Sequence, residues 1–432
     1  MCIIAIDCGA SFIKASRLNC DGVIECSEKR STPDRDEGGL RIEKTIKIVE
    51  ELIGRLAGTS EQVKVGFSTE MHGFIIADRE GNPLTDYISW QDESGLRYYN
   101  ECTFLETVQN LLTEKDVMST GMPIKVGLPN VNLFYQLCNA LSGISRESMY
   151  FYTLGDYLIR RLSNQEPYIH ITNAAATGLC CIETRKWNES IINKLGMQGI
   201  HFPTIVDRPE VIIGEMFGKK ISFYPALGDQ QAALWGSDFR EKDCLSINFG
   251  TGAQVSIISD EFVEQEKYQV RPYLEGMYLL TIPHIPSGRA LNVYFRFVKE
   301  MLTQFTNVTD DEIWMWIMNE AEQDGLENLD VDMSFFTNAI TQKTVGSICN
   351  IQEHAFTVGN LFRSAFRTMA VNARNMVHEL GGNNIDTIVF SGGIVAKNSL
   401  LREMMMQELN VCNATIAVDE TIKGIYKYVK NK

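Results

Sequence analysis

Positive charge is scarce in this 432-residue sequence, where 40 Lys and Arg stand against 55 Asp and Glu and leave a formal charge of −15. That sign argues against a general nucleic-acid or anionic-membrane surface. An anionic ligand must then be held by local devices: backbone amides, helix N-termini, a few lysines and a divalent cation. Cysteine is present but unpatterned. Eleven cysteines run from Cys2 to Cys412 without a CxxC pair, and Cys180 and Cys181 are merely adjacent. Neither a disulfide framework nor a zinc site is spaced out, so a reduced, cytoplasmic setting is expected. No apolar run approaches the length of a membrane span. The apolar start CIIAI meets Asp7 too early to serve as a secretory leader. No low-complexity segment interrupts the chain.

What is present is an internal repeat. Residues 2–18 read CIIAIDCGASFIKASRL and residues 244–258 read CLSINFGTGAQVSII, which lays Asp7 on Asn248, Gly9 on Gly250 and Ala10 on Thr251. Each copy reads as an apolar strand, a tight glycine turn and a second strand. Such a turn aims backbone N–H groups into a concavity that suits phosphate oxygens. Two such turns facing each other would make a phosphate clamp between two lobes. The length suggests two domains with real cores, and the boundary is placed near Gly236, giving lobes 1–236 and 237–432. Helices are expected over Leu40–Leu56, Asn130–Leu141, Phe151–Leu162 and Val358–Leu380, the last closed by Gly381 and Gly382. A strand at Val63–Ser68 leads into EMHG and then a hairpin turning at Asp78–Pro83.

Four clusters have chemistry in them, each with a plainer alternative. In DCGASFIK, Asp7 is placed to hold water around Mg²⁺ and Lys14 to bring charge to terminal phosphates, although a lone glycine turn is often only a hairpin. In GDQQ, Asp229 can accept a hydroxyl proton in line with a phosphoryl group, or can simply cap a helix. In EMHG and ISWQDES, His72, Trp90 and Asp92 offer an aromatic face and hydrogen-bonding groups for a polyol, whereas a lone His after a strand is commonly structural. In SGGIVAKNS, Gly392 and Gly393 let a flat ligand approach the backbone and Asn398 can contact it or cap a helix.

The order of these clusters resembles the FGGY carbohydrate kinases, which share a two-lobed, ribonuclease-H-like α/β architecture with a central cleft with actin and the chaperone ATPases. IDCGASFIK is similar to the family's first phosphate motif, EMHGFIIADREGNPLTDYISWQD to its substrate segment, ALGDQQAALWG to its catalytic loop, NFGTGA to its second phosphate motif and FSGGIVAKNSLLREM to its adenosine motif. The resemblance implies ATP and Mg²⁺ as cofactors and a small-molecule sugar as partner. Asp229 would be the general base and Asp7 would organise the metal through water. Gly9, Ser11, Lys14, Gly250, Thr251 and Gly252 would surround the phosphates, while Gly392, Gly393 and Asn398 would line the adenosine end. Met71, His72, Trp90, Asp92 and Gln230 would meet the sugar, and the lobes would close around both ligands. Glycerol kinases share GDQQAAL but carry an Arg-Glu pair where this chain has Met71 and His72. The MHG pattern is similar to the ketose kinases, and RPYLEGMYLLTIPHIPSGRALNV to the branch acting on sedoheptulose, with xylulose and ribulose also open.

The chain departs from the family pattern at Ala10, Glu70, Asn132, Tyr135, Arg367 and Thr368, and in a short tail after Asn398. An alternative of another class therefore stays open: a sugar- or nucleotide-binding sensor with weak turnover, beside a kinase for another polyol such as glycerol. Both a monomer and a homodimer are compatible with the sequence.

Overall fold

In the computed structural model the described residues are 2–34, 40–250, 252–265, 267–323, 329–336, 343–382, 384–417 and 419–430. They form two compact units. The first comprises Met1–Asp238, Asp260–Tyr278 and Asp419–Lys432; the second comprises Phe239–Ser259 and Leu279–Val418. Where the sequence suggested one boundary near Gly236, the units interleave, because the C-terminal helix Glu420–Lys430 covers the first unit's sheet. Gly66 leaves the groove for it, since a Cβ there would lie 2.5 Å from Val429 and 2.6 Å from Ile425. Among the described residues no helix is long and apolar enough to cross a membrane.

The first unit is built on β1 (Cys2–Cys8), β2 (Phe12–Leu18), β3 (Ile24–Ser31) and β4 (Val63–Thr69). The sheet runs Ile212–Met216, Lys219–Phe223, β4, β1, β2, β3, and the short strand Leu227–Gly228 adds to β4. β1 is central and buried throughout except at Asp7, the pattern of a strand covered on both faces. It pairs antiparallel with β2, Asp7 opposite Lys14, and parallel with β4, Asp7 opposite Ser68. The helix Arg41–Ala57 buries Ile42, Ile46, Val49, Ile53 and Leu56 along one stripe. Both carboxylate oxygens of Asp86 accept its first N–H groups, from Arg41 and Ile42, at 3.0 Å each.

The second unit repeats this plan. Its sheet includes, in order, Tyr278–Ile285, Ala253–Ser259, Cys244–Phe249, Thr387–Ser391 and Asn413–Ile416. Asn248 lies opposite Gln254 on its antiparallel neighbour and opposite Ser391 on its parallel one. Asn248 Nδ2 donates to Ser391 Oγ at 2.9 Å. The repeat therefore extends to a third strand whose serine backs the turn in both copies.

Two local expectations shift. Tyr150–Tyr152 is a strand paired with Ile75–Ala77, and the helix begins only at Leu154. Thr153 starts it, donating its hydroxyl to Asp156 at 2.6 Å in a capping box. The helix expected over Asn130–Leu141 runs from Pro129 to Cys138. The helix Val358–Glu379 closes as expected, with the Gly382 N–H donating to Val377 O at 2.9 Å and Gly381 at φ +78°.

Two glycines set the approach of the C-terminal helix to the helix Asp229–Gly236. A Cβ on Gly236 would lie 1.7 Å from Glu420 O, and one on Gly424 would lie 1.8 Å from Ala232 O. Gly236→Ala or Gly424→Ala should lower stability by about 1–3 kcal/mol or more by overpacking. Gly143→Ala, with nothing within 4 Å of the new atom, should leave the urea midpoint near that of the parent.

Candidate active site

The parallel pairings bring two carboxylates to one edge of the first unit's sheet. Ser68 of β4 faces Asp7 on one side and Leu227 on the other, and Gly228 faces Thr69. The helix opened by Asp229 therefore starts where β4 ends, at the carboxyl edge where open α/β sheets gather ligands. The Asn173 amide donating to Ala226 O (2.8 Å) and the Gly228 N–H donating to Thr172 Oγ1 (3.0 Å) fix this approach. Gly228 occupies the cap position, and Asp229 makes no capping bond across the first turn. Its Oδ1 accepts the N–H of Gln230 at 2.7 Å.

Asp229 is reached by solvent but densely ringed by protein. That low-dielectric surrounding raises its carboxyl above the usual range, against the pull of the Gln230 N–H and the Arg271 guanidinium. Asp7 is pushed up to about 7, first by burial and then by the charge of Asp229, with Ser68 and Lys14 opposing. A buried carboxylate whose pKa a neighbouring acid raises further suits a cation shared by the two. Among the described residues no group of three or more His, Cys, Asp and Glu side chains could hold a metal. This donor set fits Mg²⁺ carried in on phosphates, which takes one or two carboxylates and keeps several waters.

Around these acids stand the sugar-facing candidates. His72 sits in the left-handed region at φ +66°, and its Nδ1 lies 2.7 Å from Ala176 O. A carbonyl only accepts, so Nδ1 carries the hydrogen. Burial and the nearby Arg271 hold the ring neutral, with a pKa near 3, which leaves Nε2 as a bare acceptor. Met71 is buried against Gly228, where a Cβ would meet its sulfur at 2.5 Å. Trp90 is 48% exposed and donates Nε1–H to Glu70 Oε2 at 3.1 Å, while Arg41 lies 3.7 Å from the other Glu70 oxygen. Burial raises the Glu70 carboxyl and Arg41 pulls it back. Asp92 turns its Oδ1 to the Ser94 N–H (2.9 Å), and its carbonyl accepts from Asn132 Nδ2 (3.1 Å). Gln230 accepts a hydrogen bond from Arg271. Arg271 was not chosen from sequence, although it lies in the RPYLEG stretch whose similarity to one substrate branch marked it.

The turns are tied down differently from the expectation. Gly9 spends its N–H on Phe12 O (3.0 Å), leaving Ala10 and Ser11 exposed at the tip. Lys14 pairs with Asp419 at 2.5 Å. In the second unit the Gly250 N–H bonds to Gly252 O (3.0 Å), and Gly250 O accepts from the Gly288 N–H and the Ser287 hydroxyl, both at 3.1 Å. Gly252 is exposed, and Thr251 lies outside the described residues. Gly392 needs to be glycine: its φ is +92° and a Cβ would lie 2.4 Å from Phe249 O. A cavity of about 940 Å³ is lined by Gly250, Arg289, Asn292, Trp314, Gly393 and Asn398, a volume and aromatic wall suited to a nucleoside. Asn398 Oδ1 also caps the following helix at the Leu401 N–H, 2.9 Å away.

Asp7, Met71, His72, Asp229 and Gln230 thus gather in the first unit with Trp90 and Asp92 nearby, and Gly250, Gly393 and Asn398 share one cavity in the second. Residues 2–236 match the FGGY family of carbohydrate kinases, N-terminal domain. The chain belongs to the FGGY family. A glycerol kinase from Clostridium botulinum is 27% identical over 217 residues, 48% of this FGGY chain and 42% of the relative; the match spans less than half of that relative's length. Among solved structures, xylulose kinase from Lactobacillus acidophilus matches with a TM-score of 0.78 at 18% identity, covering 98% of this chain and 88% of that one. Plasmodium falciparum glycerol kinase with ADP matches with a TM-score of 0.81 at 17% identity, covering 99% and 88%. These likenesses establish the two-lobed sugar-kinase fold.

The Asp7 proton is held more tightly in the folded protein than in the unfolded chain, whose carboxyl titrates near 3.8. Its contribution to stability is therefore greatest at low pH and is lost as pH rises from about 4 to about 7. Without ligands, Asp7→Asn should raise the denaturant midpoint at pH 8, an advantage that shrinks towards pH 4. An equal shift at both pH values would show that Asp7 is not strained by charge.

Proposed function

We propose that this FGGY chain transfers the terminal phosphoryl group of ATP to a hydroxyl of a sugar or polyol. The observation that carries this reading is the carboxylate pair at the end of β1 and β4, with a neutral imidazole acceptor beside it. Asp229 takes the proton of the attacking hydroxyl; its raised pKa brings it closer to the working pH of a general base. His72 Nε2 accepts a hydrogen bond from a second hydroxyl, and the open face of Trp90 covers the carbon skeleton. Asp7 holds water about Mg²⁺, which when bound offsets charge between the phosphates and the two acids. The cavity lined by Trp314, Gly393 and Asn398 takes the adenosine. Met71 and His72, where glycerol kinases carry Arg-Glu, favour an acceptor of ketose size over glycerol.

Asp229→Asn should reduce acceptor-dependent ADP formation by about 10²–10⁴-fold while acceptor binding, measured by calorimetry, is largely kept. Turnover close to the parent's would remove Asp229 from the mechanism.

One observation favours the binding-protein alternative: the Lys14 ammonium is already engaged by Asp419. If phosphates must win Lys14 from Asp419, Asp419→Asn should lower the ATP KM by up to about fivefold, the worth of an exposed ion pair. An unchanged KM would mean that Lys14 is no phosphate ligand.

A further inference from the structure

Two buried side chains from a distant part of the chain hold the backbone that carries Asp229. Thr172 and Asn173 belong to the short helix Ile171–Ala175 and are both buried. The Asn173 amide donates to Ala226 O at 2.8 Å, and the Thr172 hydroxyl oxygen accepts the Gly228 N–H at 3.0 Å. The chain is thereby held at Ala226 and again at Gly228, immediately ahead of Asp229. Gly228 is also closed in by Met71, whose sulfur a Cβ would meet at 2.5 Å.

The direction of the Thr172 hydroxyl is decided by His170. The Thr172 N–H donates to His170 Nδ1 at 3.3 Å, and such a bond needs a ring nitrogen that carries no hydrogen. Nδ1 is therefore bare, and the Thr172 hydroxyl, 2.9 Å away, gives its single proton to it. Only lone pairs remain on Oγ1, and these face the Gly228 N–H. Burial pushes the His170 pKa down to about 4, with Asp207 drawing it up and Arg185 drawing it down, so at neutral pH the ring is uncharged and Nδ1 is an acceptor. The ring is also fixed in place. Val206 pairs opposite His170 on the neighbouring strand, and Tyr428 of the C-terminal helix stands edge-on, with 5.4 Å between ring centres and an angle of 84°.

We infer that His170 and Thr172 are positioning residues for the Asp229 carboxylate, forming a relay from imidazole through hydroxyl to the backbone amide one residue before the base. The inference rests on the kinase reading above and adds two residues that act through the base rather than on the acceptor. A general base must stand within hydrogen-bond reach of the proton it takes, and a misplacement of about 1 Å costs on the order of 10²-fold in rate.

The test uses the full chain, with steady-state ADP release and amide hydrogen exchange at Gly228 as its two readouts. Thr172→Val keeps the shape and removes the hydroxyl; it should lower kcat by about ten- to hundredfold while the KM values for acceptor and ATP stay within about twofold of the parent's. Thr172→Ser should restore kcat. His170→Asn, which sets an oxygen where Nδ1 stands, should keep kcat, whereas His170→Gln should lower it, and this pair serves if Thr172→Val does not fold. In an Asp229→Asn background the Thr172→Val penalty should vanish, because the relay acts only through that carboxylate. A penalty that persists in full in that background overturns the inference, as does a loss carried by KM. The Gly228 amide should exchange faster in Thr172→Val and at the parent's rate in Thr172→Ser; equal rates in all three also overturn it. A parent that releases no ADP with any acceptor removes the kinase reading and leaves the exchange rates to decide the relay, whereas normal turnover in Thr172→Val keeps the kinase and removes the relay.

Discussion

The first unit depends on two carboxylates that the backbone forces into one neighbourhood. Asp7 and Asp229 are 222 positions apart in the chain, yet the parallel pairings of β1, β4 and Leu227–Gly228 bring both to the same edge. Each is harder to ionise because of its low-dielectric surroundings, and the charge of Asp229 adds to the cost at Asp7. Ser68 and Lys14 offset only part of the cost at Asp7. Such an arrangement is unfavourable as architecture and favourable as chemistry: strained titratable groups at a sheet edge are what a proton-accepting, cation-seeking site requires.

Rigidity around that edge comes from close backbone approach. Gly228 makes room for Met71, Gly66 for the C-terminal helix, and Gly236 and Gly424 let two helices meet with carbonyl groups against Cα positions. The C-terminal helix is thus a brace for the helix that Asp229 opens, and Asp419 at its start also reaches Lys14. A short tail, read from sequence as a departure from the family pattern, closes the first unit. Gly392 plays the corresponding part in the second unit by allowing the chain to pass against Phe249 before the cavity opens at Gly393.

The polar wall shows how protonation states are set by geometry rather than residue type. His72 has one ring nitrogen committed to a carbonyl and no tendency to charge, so it can only present an acceptor. Glu70, by contrast, is wrapped by an arginine and an indole. Arg271, steadied by the amide oxygens of Gln230 and Gln269, brings positive charge to the same neighbourhood.

The sequence by itself determined the repeated strand–turn–strand units, the helix that Asp229 opens, the Val358–Glu379 helix with its glycine end and the family to which the chain belongs. These are legible because apolar periodicity, glycine turns and short motifs are local, and local rules act within a few residues. It did not reveal that Ser68 and Ser391 back the two turns, since parallel pairing joins strands far apart in sequence. It missed the strand at Tyr150 because Thr153 and Asp156 start the next helix late, and it missed Arg271 because an arginine in a strand has no signature until its partners are known. Whether a side chain is a cap, an acid or a neutral acceptor depends on what lies within a few ångströms. Only the tertiary structure decided that, because dielectric surroundings and opposing charges are set by residues hundreds of positions away.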